Sequence, residues 1–150
     1  MDAASLVDRA EISDLLDDYA YGIDTRDFDL VASLFTDDAV LDYTSSGGPR
    51  AAREEVMDWL RASLPAVALT QHLLTNRRIR IDGDTATSRT ELFNPLLFEG
   101  GEGTQLLLLG GDYSDRLVRT DRGWRIIERV HTTTWTAGPW PAQLASQEGP

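Results

Sequence analysis

The chain has 150 residues, enough for one real core and too few for two comfortable domains. Fourteen Lys and Arg against 25 Asp and Glu leave a net charge of −11, which repels nucleic acid and anionic membrane and excludes both as partners. Cysteine is absent, and the two histidines, His72 and His131, belong to no short-spaced ligand set, so disulfides, thiolate catalysis, a metal site and a cofactor are not expected.

The N-terminal MDAASLVDRAE has neither the basic nor the apolar region of a secretory signal. Runs such as Leu106–Leu109 are far too short to span a bilayer. The expected compartment is the cytoplasm. Between Leu6 and Ile23, the residues Ile12, Leu15, Leu16, Tyr19, Ala20 and Ile23 recur at steps of three and four. That spacing predicts an amphipathic helix with one face on a core, with Ser5 or Asp8 available as its cap. Asp27 reads as the cap of a second helix over 28–35, stopped by Thr36-Asp37-Asp38. Residues 39–44 (AVLDYT) read as a strand and 45–49 (SSGGP) as a loop. A third helix over 50–63 places Ala52, Val56, Trp59 and Leu60 on one side.

From Val67 the period changes to that of strands, predicted over 67–82, 85–98, 104–119 and 124–136. The turns between them carry Gly83-Asp84, Glu99–Gly103 and Thr120–Gly123. Residues 139–150 hold three prolines and no period, so they read as a tail to a domain over 1–138, with Trp140 available as an anchor. Three helices followed by a meander of long strands define an α+β domain, its helices packed on one face of a curved sheet.

Two polar groups interrupt the apolar face of the first helix near its end. Tyr19 lies within the stripe, and Asp24 extends the row Leu16–Ala20–Asp24. A phenol and a carboxylate entering an interior need partners, because unpaired polar groups are costly to bury. The face is therefore read as looking into a pocket, although Asp24 also suits the cap of the next turn and Tyr19 a plain core tyrosine. His72 is the residue type best suited to move protons near neutrality. Its facing stays open, since Ile79 and Ile81 alternate out of step with it and a bulge reverses facing. His131 borders Thr132, Thr133 and Thr134, a polar edge. Tyr43, Asn76 and Tyr113 offer hydrogen bonds to a substrate oxygen, and Trp59 and Phe93 offer apolar lining, though such residues are more often core. Trp124, after its turn, is expected on the outer side of the sheet.

The opening EISDLLDDYAYGIDTRDFDLVASLFTDDAVLDY, the final GGDYSDRLVRTDRGWRIIERVH and the intervening QHLLTN together resemble the SnoaL-like branch of the NTF2-like superfamily, over about residues 5–138. The resemblance implies a cone: three N-terminal helices on a strongly curved, mixed but mainly antiparallel sheet that encloses an apolar pocket. Scytalone dehydratase and the bile-acid dehydratases of this branch carry a helix-1 tyrosine, a nearby aspartate and a strand histidine. The matching positions here are Tyr19, Asp24 and His72, and the first two keep the Y-x-x-x-x-D spacing. Other relatives include polyketide cyclases and ketosteroid isomerases.

What the resemblance implies is a cofactor-independent lyase or isomerase acting by acid–base catalysis on a small hydrophobic oxygenated metabolite, such as a polyketide, terpenoid or steroid-like compound. His72 would serve as base and then acid, Asp24 as its orienting partner and Tyr19 as the oxyanion donor. Tyr43, Asn76, Tyr113, His131, Trp59 and Phe93 would line the substrate site. The alternative is a non-catalytic binding or assembly module with the same cone. An open sheet face in so small a domain points to a homo-oligomer, a dimer or a trimer.

Overall fold

The computed structural model describes residues 3–141. Its first helix, α1 (Ala3–Thr25), turns Ile12, Leu15, Leu16, Tyr19, Ala20 and Ile23 into the core, as the period predicts. It begins earlier than expected, so Asp8 lies inside the helix and is not its cap. The Asp8 carboxylate instead accepts hydrogen bonds from Arg119 Nη2 at 2.9 Å and from the Trp124 indole N–H at 3.2 Å. Trp124 is accordingly buried in the core and not on the outer side, with the Arg119 guanidinium 4.6 Å over its ring.

α1 ends where Arg26 takes a left-handed backbone, φ 63°. Asp27 then caps α2 (Phe28–Ser33), accepting from the Leu30 N–H at 3.0 Å. This frees Asp24 from capping. Phe35 opens β1 (Phe35–Asp42) where a helix end was expected. A short strand, β2 (Arg50–Ala52), takes the first residues of the expected third helix, which is α3 (Arg53–Ser63). The helices are thus interleaved with strands and do not form one N-terminal block.

The single strand expected over 67–82 is two, β3 (Val67–Thr70) and β4 (Leu73–Asp82), broken at Gln71 and His72. Both pair with β5 (Thr85–Gly100), which is followed by β6 (Gly103–Thr120) and β7 (Gly123–Ala137). The seven strands form one sheet in the order β2-β1-β7-β6-β5-β3, with β4 also on β5. All pairs are antiparallel except β1 with β7, which are parallel, so the sheet is mixed.

Irregular register bends it. On β7, Leu117 faces Ile126 but Arg116 faces Glu128, leaving Ile127 as an extra residue. A bulge of this kind reverses which side chains face inward and increases the local bend. Trp124 and Ile126 point inward before it, and Arg129 and His131 after it. The helices fill the concave side. Of the expected tail, residues 142–150 lie outside the described residues, while Trp140 packs against the core. Among the described residues, no helix is long and apolar enough to cross a membrane.

Candidate active site

The concave side encloses a cavity of about 80 Å³, walled chiefly by Tyr19, Tyr43, Trp59, His72, Asn94, Leu107, Tyr113 and His131. The last turn of α1 and the break between β3 and β4 meet at its wall. There Asp24 Oδ1 lies 2.7 Å from His72 Nδ1, while Asp24 Oδ2 accepts the His72 backbone N–H at 2.8 Å. The break explains both contacts. A residue outside the ladder keeps its N–H free for a side chain, and Gln71 alone reaches back to Pro95 O at 3.1 Å.

Thr70 Oγ1 donates to Asp24 Oδ1 at 2.8 Å and accepts from Arg26 Nη1 at 3.2 Å. The Arg26 guanidinium also donates to the carbonyls of Ile23 and Val67, at 2.9 and 3.0 Å. It thereby ties the end of α1 to β3. Burial alone would raise the Asp24 pKa, but the hydrogen bonds and charge of His72 and the hydroxyl of Thr70 leave it below the usual carboxylate value. An ionised Asp24 takes the Nδ1–H, so the His72 lone pair is on Nε2. The nearest donor to that lone pair is Asn94 Nδ2, at 3.4 Å. Such an imidazole, oriented by a carboxylate on an apolar wall, is chemically able to act as a base.

Beside it lies a second polar cluster. The Tyr19 and Tyr43 hydroxyls are 2.5 Å apart and buried. Burial, and then proximity to Tyr19, pushes the Tyr43 phenol well above its ordinary pKa, and Tyr113 is raised for the same reasons. Arg129, wholly inaccessible, has its guanidinium 4.1 Å from the Tyr19 ring and 4.3 Å from the Tyr113 ring. Its Nε and Nη2 bind both oxygens of the equally buried Asp115 at 2.7 and 2.8 Å. Burial alone would lower its pKa, but Asp115 and the tyrosines raise it well above the ordinary value.

Of the residues singled out in the sequence, Tyr19, Tyr43, Trp59, His72, Tyr113 and His131 come together at the cavity, with Asp24 behind His72. Asn76 does not. It is exposed at an irregularity in β4, with φ 50°, and donates to Glu91 Oε2 at 2.6 Å. Phe93 does not either, because it faces the convex side and stacks on Trp135 with ring centroids 6.1 Å apart. Sequence reasoning missed Asn94, although it alternates in step with the inward Leu92 and Leu96. It also missed Arg129 and Asp115; both Trp124 and Arg129 face inward only because the bulge at Ile127 interrupts the alternation between them.

A family model described as a SnoaL-like domain matches residues 4–130. The chain belongs to this SnoaL-like family, within the NTF2-like fold. It is 43% identical over 132 residues to the uncharacterized protein Rv2910c of Mycobacterium tuberculosis, covering 88% of this chain and 89% of that one. It is 32% identical over 145 residues to terrestric acid biosynthesis cluster protein E of Penicillium crustosum, covering 91% and 89%. Among solved structures it matches Kfla4162 of Kribbella flavida at a TM-score of 0.83 and 30% identity, over 95% and 99% of the two chains. A Novosphingobium aromaticivorans protein named for scytalone dehydratase (TM-score 0.83, 22% identity, 94% and 93%) and a type 2 hexachlorocyclohexane dehydrochlorinase (0.78, 24%, 91% and 91%) share the fold.

Proposed function

We propose that the chain is a cofactor-independent lyase that removes water from a small, hydrophobic, oxygenated metabolite by acid–base catalysis. The observation that carries this reading is the Asp24–His72 pair, which presents a basic imidazole nitrogen to an apolar, aromatic-walled cavity. Nε2 of His72 takes a proton from the carbon beside a carbonyl, and the C–H electrons become an enolate. Collapse of the enolate forms the carbon–carbon double bond and breaks the bond to the β-oxygen. The imidazolium, steadied by Asp24, returns its proton to that departing hydroxyl, and water leaves. The Tyr19–Tyr43 pair holds two protons and spends one within the pair, so one phenol O–H remains for the developing oxyanion. Isomerisation and ring closure begin with the same enolate. Elimination is favoured because relatives by fold are named as a dehydrochlorinase and after a dehydratase, both names for loss of a small acid or water. Kinship to a biosynthesis cluster protein supports a metabolite substrate.

The test is conversion of cyclic β-hydroxy ketones to enones, followed by the enone absorbance. His72→Ala should abolish turnover, and Asp24→Asn should lower kcat by roughly 10²–10⁴-fold. Turnover unchanged in both variants rules the pair out as the acid–base device.

A further inference from the structure

One buried polar group of the cavity has no part in the chemistry above. His131, on β7 just past the bulge, is 5% exposed and lines the cavity. Its Nδ1 lies 3.1 Å from Ser46 Oγ. Ser46 has one hydroxyl proton and two acceptors in reach, this nitrogen and the Tyr43 carbonyl, also at 3.1 Å. That carbonyl already accepts the backbone N–H groups of Ser46 and Gly48, both at 3.0 Å, and so has both lone pairs occupied. With that carbonyl crowded, a Ser46 hydroxyl turned to Nδ1 would leave the His131 proton on Nε2.

Burial, helped by the charges of His72 and Arg129 and opposed by Asp112, lowers the His131 pKa to about 4. The ring is neutral at physiological pH, with one donor to offer. Nε2 is buried and has no partner among the described residues. An unpaired N–H in such a place is costly unless a ligand atom meets it.

We infer that His131 donates its Nε2–H to the carbonyl oxygen of the ligand, and to the enolate oxygen as charge develops there. Neutral imidazoles of depressed pKa can polarise carbonyls in this way. The His131 ring centroid is 5.8 Å from that of Tyr43, so imidazole and phenol form one oxygen-binding pole. The ligand class is an apolar, compact ketone or enone, in place of a hydrocarbon. This rests on the cavity being the substrate site proposed above.

The experiment records histidine ring 15N–1H correlations of the intact, labelled chain at pH 7, with 2-cyclohexen-1-one or cyclohexene added. Expected are a protonated Nε2 and a bare Nδ1 on His131, and a shift of the Nε2 resonance with the ketone but not with the hydrocarbon. His131→Phe should weaken ketone binding about five- to tenfold and leave cyclohexene unaffected, with His131→Gln, which keeps an N–H donor, recovering part of the loss. A proton on Nδ1, an Nε2 resonance indifferent to the ketone, or ketone binding that is absent or equal in wild type and His131→Phe overturns the inference. If these results hold but no β-hydroxy ketone is turned over, the elimination reading falls and the His131 donor stands.

Discussion

Arg129 places a full positive charge where the chain would otherwise bury hydrocarbon, and Asp115 is what makes that tolerable. Replacing Arg129 with Met would strand the Asp115 carboxylate in the interior. The expected loss is about 3–5 kcal/mol of unfolding free energy, read from urea denaturation. Met in place of both members, as Arg129→Met with Asp115→Met, should recover much of it. His131 adds a pH dependence with a definite sign. Its folded pKa, about 4, lies below its ordinary 6.5, so its burial has no electrostatic penalty above pH 6.5. Stability is then lost as the pH falls toward 4, because only the unfolded chain accepts the proton readily. Between pH 7 and pH 4.5 the loss should be roughly 2 kcal/mol larger in wild type than in His131→Phe, measured in parallel urea titrations. The Arg129 pairing was not legible in the sequence, whereas His131 was read as a lining residue without its Ser46 contact. The facing of both residues depends on one extra residue, Ile127, which leaves no compositional trace.

At the scale of elements, α1 was readable almost completely, because a 3.6-residue period is a property of consecutive residues. Its apolar stripe and the polar intrusion of Tyr19 are where the spacing puts them. The division of 67–82 into β3 and β4 was not readable, since the break at Gln71 and His72 is compelled by contacts with Asp24 and Pro95, distant in sequence. Asn76 and Phe93 were misjudged for a related reason: irregular pairing near residue 76 and the outward parity of Phe93 appear only once partners are known. Arg26 joins these elements, and its side chain acts on Asp24 through the Thr70 hydroxyl and through its charge. Arg26→Ala should therefore reduce kcat more than KM and shift the acidic limb of the kcat–pH profile. Arg26→Lys, which still reaches a carbonyl but forms fewer simultaneous hydrogen bonds, should fall between the two. A change in KM alone would assign Arg26 to scaffolding.

For the whole molecule, the fold class was legible because it needs only the order and type of elements. The placing of β1 in the sheet was not, since it pairs with β7 in parallel across most of the chain. Such distant pairing predicts folding in the slow range for a domain of this size, milliseconds to seconds by stopped-flow fluorescence of the buried Trp124. The convex side carries the Phe93–Trp135 stack together with exposed Leu73 and Leu106. Trp135 lies flat across Gly110, whose missing side chain leaves room for the indole. Light scattering at micromolar concentration should return an oligomeric mass for the wild type, and Trp135→Glu should return a monomer. A monomeric wild type would sink that expectation.

The two oxygens of Asp24 are bound to different kinds of partner, one to the His72 and Thr70 side chains and the other to main chain. The members of the pair are consequently unequal as targets for substitution. Removing the imidazole at 72 leaves the amide of residue 72 still held by the carboxylate. Removing the carboxylate releases ring and backbone together, leaving Arg26 to hold the seam between α1 and β3. Hydrogen exchange at the residue 72 amide should thus remain slow in His72→Ala and accelerate in Asp24→Ala, a solvent-accessibility gauge of the cavity wall that needs no turnover.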